Sequence, residues 1–355
     1  MRLVIKVGTR SLMAEDKTLD QSMIELLVDQ IATLKNQKHS VALVSSGAVG
    51  AGRLLWTNNS TKSTFTDRVL EKQILASLGQ SSLIDSYNKA LSKHDMLAAQ
   101  ILLTKNDFKL RRHSVNIGRL MDKLLGQHNL IPVINENDSI SVEELMFTDN
   151  DELAGLLATQ IGADRLIILS DVDGVYDTSV EGKPVIPELG INDIAKVDLS
   201  MKGTGRGGMQ SKLGIAKKMA LIGVQTHIAK AREPDILLRI IKGEKIGTVI
   251  KPQKKEKPIK RWLSSGVQET RGEIVVNAGL AERLQTDGKA CSILPVGIEK
   301  APEDFTKGDV VIIRDLKGKI IGHGLARYNT QTLKDYIGKK NKPVFIHYNA
   351  LHIEN

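Results

Sequence analysis

One cysteine, Cys291, stands in a chain of 355 residues. A lone thiol excludes an intramolecular disulfide framework and a cysteine-ligated structural zinc site, and a reducing, cytoplasmic compartment is expected. Aromatic residues are equally scarce, with two Trp, five Tyr and five Phe. Little is left to stack on bases, which argues against single-stranded nucleic acid as the partner of the larger part of the chain. No apolar run approaches the ~20 residues needed to cross a bilayer. The opening MRLVIKVGT turns polar too soon for a signal peptide, so a protein without membrane association is expected. With 41% hydrophobic residues a sizeable core is available, and the length predicts one large domain and one smaller one.

The net charge of +9 is unevenly distributed. Residues 1–250 are close to neutral at +2, whereas KPQKKEKPIKR at 251–261 carries six basic residues against one acid. With its two prolines this segment reads as a basic linker over 251–270, between a domain at 1–250 and another at 271–355. In the first part, apolar runs at RLVIKV (2–7), VALVS (41–45), IPVIN (131–135), RLIILS (165–170) and VQTHIA (224–229) alternate with helical spacing. An example is Met23, Ile24, Leu27, Ile31 and Leu34 behind Asp20, a candidate N-cap. This pattern predicts an α/β fold with a mostly parallel sheet sandwiched by helices. After residue 270, short alternating runs such as Ile274 to Val276, CSILPVGI, GDVVIIRD and PVFIHY, separated by glycine turns, predict a small β-rich domain.

In open α/β sheets, ligands bind beyond the carboxyl ends of the strands. Here those ends carry GTRS, SSGAVGAG, NENDS and SDVDGVYD, which are small, polar or acidic. Lys6 interrupts an apolar strand, so it sits at an edge, pairs with an acid, or faces an anionic ligand. The stretch KGTGRGGMQSK (202–212) places four glycines, Gly203, Gly205, Gly207 and Gly208, before a helix beginning near Gln210. Backbone N–H groups there can approach an anion, with Lys212 as a mobile cation; a flexible connecting loop is the plain alternative. The position is wrong for a Rossmann fingerprint and no G-K-[ST] follows for a P-loop. Ser46 lies in a Gly-rich turn that is not a nucleophile elbow, and suits hydrogen bonding better than attack. NENDSISVEELMFTDNDE (135–152) gathers acids and amides; it is either a solvated loop or a seat for an ammonium group. The spacing fits no calcium loop and the histidines are scattered, so no dedicated metal site is expected. Two lysines, glycine loops and an acidic patch without a nucleophile and base pair suit phosphoryl transfer. A carboxylate acceptor needs no general base, and the ammonium seat then points to an amino acid.

Taken in order, IKVGT, LVSSGAVGAG, INENDS, DND, LSDVDGVYD and GTGRGGMQSK resemble the glutamate 5-kinase family, a branch of the amino acid kinases, over residues 1 to about 250. GEIVVNAGL, SILPVGI, FTKGDVVIIRD and IIGHGLARY resemble the PUA domain, an RNA-binding type of β module. The resemblance implies ATP-dependent phosphorylation of the L-glutamate γ-carboxylate, with Mg2+, as the first step of proline biosynthesis. It also implies proline as feedback inhibitor, a homo-oligomer, and RNA as a possible partner of the tail. By the same resemblance Lys6 and Lys212 contact the phosphates and the transferring group, while Ser46, Asp138 and Asn150 hold glutamate, Asp138 through its ammonium. Ser170, Asp171 and the loop Arg206, Gly207, Gly208, Met209, Gln210, Ser211 and Lys212 hold the nucleotide. The chain departs from the family pattern at Thr148, where glycine is usual, at Arg206, where threonine is common, and at IHYNAL in place of IHRDNL. A related kinase with carbamate, aspartate or a uridine nucleotide as acceptor, and a protein that mainly binds RNA, are the competing readings.

Overall fold

The computed structural model describes residues 1–59, 67–141, 150–197, 208–252, 258–264, 269–286 and 291–354. They form two compact units, Met1–Asp107 with Asn116–Lys255, and Phe108–Val115 with Glu256–Asn355. The first unit holds strands β1 (Arg2–Val7), β2 (Ser40–Val44), β3 (Leu97–Leu103), β4 (Leu130–Glu136), β5 (Arg165–Ser170), β6 (Glu188–Leu189), β7 (Gln225–Lys230) and β8 (Thr248–Ile250). They join in the order β3-β4-β2-β1-β5-β7-β8-β6. Every neighbouring pair is parallel except β7 and β8. Its helices are α1 (Thr9–Leu12), α2 (Gln21–Asn36), α3 (Ala48–Asn59), α4 (Arg68–Ser92), α7 (Asn150–Ile161), α8 (Met209–Leu221) and α9 (Ile236–Lys242), while α5 (Lys105–Lys109) and α6 (Arg111–Leu125) are divided between the units, with Phe108–Val115 in the second.

β1 is central, and being buried on both faces it reads as a continuous apolar run rather than an alternation. Leu3, Ile5 and Val7 join one core cluster with Met23, Leu27 and Ile31 of α2 and with Ile236 and Ile240 of α9. Val4 and Lys6 have the opposite parity and face the layer that contains α7. α2 begins as its sequence predicts, with the Asp20 carboxylate accepting a hydrogen bond from the Met23 N–H at 3.1 Å. The runs at 2–7, 41–45, 131–135, 165–170 and 224–229 all become strands, within one residue at their ends. β3 was not anticipated: LAAQILL holds one β-branched residue, Ile101, and its strand state comes from pairing along the whole of β4.

Glycines set the distance between α3 and α4. A Cβ on Gly79 would fall 1.9 Å from the Ala48 carbonyl oxygen, and one on Gly52 would fall 1.8 Å from that of Leu75. Only glycine admits this approach of two helix backbones. It explains Gly52 of SSGAVGAG by packing, whereas Gly47, at φ +105°, makes the turn itself.

The second unit contains α10 (Pro258–Ser264), β9 (Thr270–Val276), α11 (Ala278–Thr286), β10 (Ile298–Lys300), β11 (Val310–Arg314), β12 (Ile320–Leu325), α12 (Thr330–Tyr336) and β13 (Leu351–Ile353). Its sheet runs β10-β9-β11-β12-β13, with β9 and β11 parallel and the other neighbours antiparallel. Two expectations are corrected here. The span read as a linker includes a helix, α10, whose Trp262 and Leu263 are buried against Val310 and Leu325. Apolar anchors at that spacing override the charge around them. The strands expected at CSILPVGI and PVFIHY reduce to an isolated bridge between Ile293 and Ile346, with β10 starting only at Ile298. Within the same unit, the Trp262 indole N–H donates to the Phe108 carbonyl at 3.3 Å, and the Arg111 guanidinium lies over the indole ring at 5.1 Å. No helix among the described residues is long and apolar enough to cross a membrane.

Candidate active site

β1 lies between β2 and β5, with Lys6 in register with Val44 and Ile168, and β4 lies beyond β2. The carboxyl ends of these four strands therefore open on one edge of the sheet and deliver Lys6, Ser46, Asn135 and Ser170 there. α7 starts at the same edge. Its first two residues, Asn150 and Asp151, point in different directions and organise two separate clusters.

The first cluster is cationic. Asp151 is fully buried; its Oδ1 lies 2.7 Å from Lys6 Nζ and its Oδ2 lies 3.0 Å from Lys212 Nζ. Burial alone would raise the Asp151 pKa, but the two ammonium groups outweigh it and hold the carboxyl below its ordinary value. Lys6 is thus not at an edge of the sheet, as one reading of the sequence allowed. It pairs with an acid and shares that acid with Lys212. Lys212 comes from the first turn of α8, which Gly208 caps. Gly155 keeps α7 and α8 close, since a Cβ there would fall 2.9 Å from Ile215 Cγ2. Asp151 is thus shared between two ammonium groups, which it holds side by side at the carboxyl ends of the strands.

The second cluster is made of amides and hydroxyls. The Asn150 side-chain amide donates to the Ser45 carbonyl (2.7 Å), to Ser46 Oγ (2.8 Å) and to Asn135 Oδ1 (2.9 Å). Asn135 in turn donates to Gln80 Oε1 of α4 at 2.8 Å. Beneath the turn, Ser45 Oγ and the buried Tyr87 hydroxyl are 2.8 Å apart, and burial pushes the Tyr87 phenol well above its usual pKa. Three residues beyond Asn135, the Asp138 Oδ1 lies 2.6 Å from Lys72 Nζ.

Across the sheet, Ser170 Oγ donates to Asp171 Oδ1 at 3.1 Å, and Asp171 Oδ2 lies 3.0 Å from Arg10 Nη1. Partial burial raises the Asp171 carboxyl, but hydrogen bonds from Arg10, its own backbone and Ser170, with the Arg10 charge, pull it below its ordinary value. Met209, Gln210 and Ser211 form the first turn of α8. Arg206, Gly207 and Thr148 lie outside the described residues.

The structure therefore brings Lys6 together with Lys212, and Ser46 together with Asn150, as two neighbouring groups. Asp151, Asn135, Gln80, Lys72 and Arg10 were not foreseen. Asp151 had a visible signal, since it adjoins Asn150 in DND. Among the described residues no three His, Cys, Asp or Glu side chains gather in a way that would hold a metal ion.

The amino acid kinase family model matches residues 1–230, and the PUA domain model matches residues 272–344. A glutamate 5-kinase of Chlorobaculum tepidum is 39% identical over 99% of this chain and 97% of its own length. One of Bacteroides thetaiotaomicron is 36% identical over 99% and 98%. A UMP kinase of Bacillus anthracis shares the fold at a TM-score of 0.50 and 17% identity, covering 71% of this chain and 96% of that one. Matched over nearly its whole length to such relatives, the chain belongs to the glutamate 5-kinase branch of the amino acid kinase family and carries a PUA domain.

Proposed function

We propose that this chain transfers the γ-phosphoryl group of ATP to the γ-carboxylate of L-glutamate, giving glutamyl 5-phosphate and ADP in the first step of proline biosynthesis. The observation that carries the reading is Asp151 holding Lys6 and Lys212 together, next in the chain to Asn150 and its amide and hydroxyl cluster. The acceptor carboxylate is ionised at neutral pH, so no residue has to remove a proton, and catalysis reduces to positioning and charge stabilisation. Lys6 and Lys212 face the transferring phosphoryl group and neutralise the charge on its oxygens, and Asp151 keeps both in place. Ser46 and Asn150 orient the acceptor, and Asp138 takes its ammonium. Ser170, Asp171 and the segment from Arg206 to Lys212 hold the nucleotide, whose phosphates meet the α8 N-terminus. No cluster of acidic or histidine ligands gathers among the described residues, and Mg2+ would enter with the ATP phosphates, as that ion commonly does.

Four finer points belong to the same reading. Proline competes at the glutamate end, the chain acts as a homo-oligomer, the reaction is cytoplasmic, and RNA is a secondary partner of the PUA domain at most. The test is a panel of acceptors with ATP, in which hydroxylamine traps any acyl phosphate. Glutamate should give the hydroxamate, while aspartate, carbamate and UMP support no comparable ATP turnover. Equal turnover with any of those three would overturn the assignment. In the same assay proline should raise the glutamate KM and leave the ATP KM unchanged.

A further inference from the structure

Lys72 belongs to no motif read from the sequence, yet it reaches the acceptor end of the site. It projects from the first turns of α4, with Nζ 2.6 Å from Asp138 Oδ1 and 3.8 Å from Glu136 Oε2. Both carboxylates are almost fully buried, and the lysine side chain keeps about a quarter of its exposure, 27%. The same helix places Gln80 on Asn135, so α4 lines the whole segment from Asn135 to Asp138. The glycine contact of Gly52 and Gly79 fixes α4 against α3, the helix that begins just beyond Ser46.

An exposed ion pair would need no further account. This pair involves the carboxylate assigned to the acceptor's ammonium, and it sets an ammonium and a carboxylate side by side at one place. An α-amino acid carries the complementary pair on a single carbon. Lys72 as a mere counterion to Asp138 would leave the incoming ammonium facing a neutralised carboxylate and a like charge. We propose instead that Lys72 binds the α-carboxylate of the acceptor while Asp138 binds its ammonium, with Glu136 balancing Lys72 before the substrate arrives. Lys72 is then a specificity-determining residue that requires the acceptor to be a zwitterion at its α-carbon. This rests on the reading of Asp138 as the ammonium seat.

The experiment compares L-glutamate with its α-amide, which keeps the ammonium and the reacting γ-carboxylate but loses the α-charge. It uses the full chain and the hydroxamate assay. The wild-type enzyme should prefer glutamate by about 30-fold or more in kcat/KM, the scale of a lost charge partner in a desolvated pair. In Lys72→Met this preference should collapse to within about threefold, through a higher KM for glutamate with kcat little changed, and Lys72→Arg should restore part of it. A wild-type preference near one overturns the proposal without any variant. So does a Lys72→Met enzyme that keeps the wild-type preference, or one that binds glutamate more tightly. Failure of the underlying reading looks different: Asp138→Asn would then leave the glutamate KM unchanged, or the wild-type enzyme would not phosphorylate glutamate at all.

Discussion

Replacing Asp151 with asparagine preserves the shape of the side chain and removes the charge that two lysines share. At 2.7 and 3.0 Å, and with an effective dielectric constant of 20, each attraction amounts to roughly 5–6 kcal/mol. Desolvation of three buried groups offsets most of this, and breaking such a pair typically costs about 3–5 kcal/mol, because uncompensated charge stays inside. The asparagine carbonyl can still accept from one lysine, so about 3 kcal/mol is expected, or roughly 6 °C in Tm for a unit of this size. Since Asp151 titrates below its ordinary value, its contribution is complete above about pH 4 and is lost only as pH falls through the lowered folded value. The Tm difference between wild type and variant should therefore be constant from pH 6 to 8 and shrink only in acid. With the charge that both lysines share removed and only one of them still held, kcat should fall about 10²-fold or more. Thermal unfolding and glutamate-dependent ATP turnover read the two effects. A double-mutant cycle with Lys6→Met should show a coupling above 1 kcal/mol, because the two groups touch. A variant within 1 °C of wild type and within about threefold of its kcat would refute the view that Asp151 organises the lysines.

Two further outcomes are expected. Asn150→Ala removes an amide whose two N–H groups are shared among Ser45, Ser46 and Asn135, and should cost about 1–3 kcal/mol in stability while raising the glutamate KM and sparing the ATP KM. Kinetics with each substrate varied in turn check this, and equal loss for both would contradict the assignment. On β7, burial pushes the His227 imidazole down to about 4, with a smaller effect of Arg165, and its Nδ1 has no hydrogen-bond partner among the described residues. The folded protein keeps this histidine neutral, so its contribution is whole above pH 6.5 and declines towards pH 4, by about 2 kcal/mol at pH 5. In urea unfolding, His227→Leu should lose correspondingly less stability between pH 7.5 and 5; an identical loss would show that His227 does not drive the acid response.

Some of this protein is legible in its residue order because the cause is local. Five apolar runs became strands of the main sheet, since strands buried on both sides need uninterrupted apolar side chains. Asp20 capped α2, and Gly208 stood just before α8, because capping acts within three or four residues. Lys6 and Lys212 drew attention for a similar reason: each is a charge set against an apolar strand or a glycine loop. β3 was missed, because its own composition favours no strand and the pairing with β4 decides it. α10 was hidden by the charge around it until Val310 and Leu325 gave Trp262 and Leu263 something to bury.

The sequence by itself therefore determined the alternation of strands and helices, the small residues at the strand ends, and the order of motifs that places the chain in its family. Only the tertiary structure decided which charges meet. Lys6 and Asp151 are far apart in the chain, Lys212 and Asp151 are separated by 61 residues, and no periodicity or spacing relates them. Their meeting follows from β1 lying at the centre of the sheet with α7 and α8 packed together, which buries all three side chains almost completely. The same holds for Lys72, which meets Asp138 across a helix, α4, that two glycines bring into backbone contact with α3. Long-range electrostatics is settled by topology and burial, which short stretches of sequence do not encode.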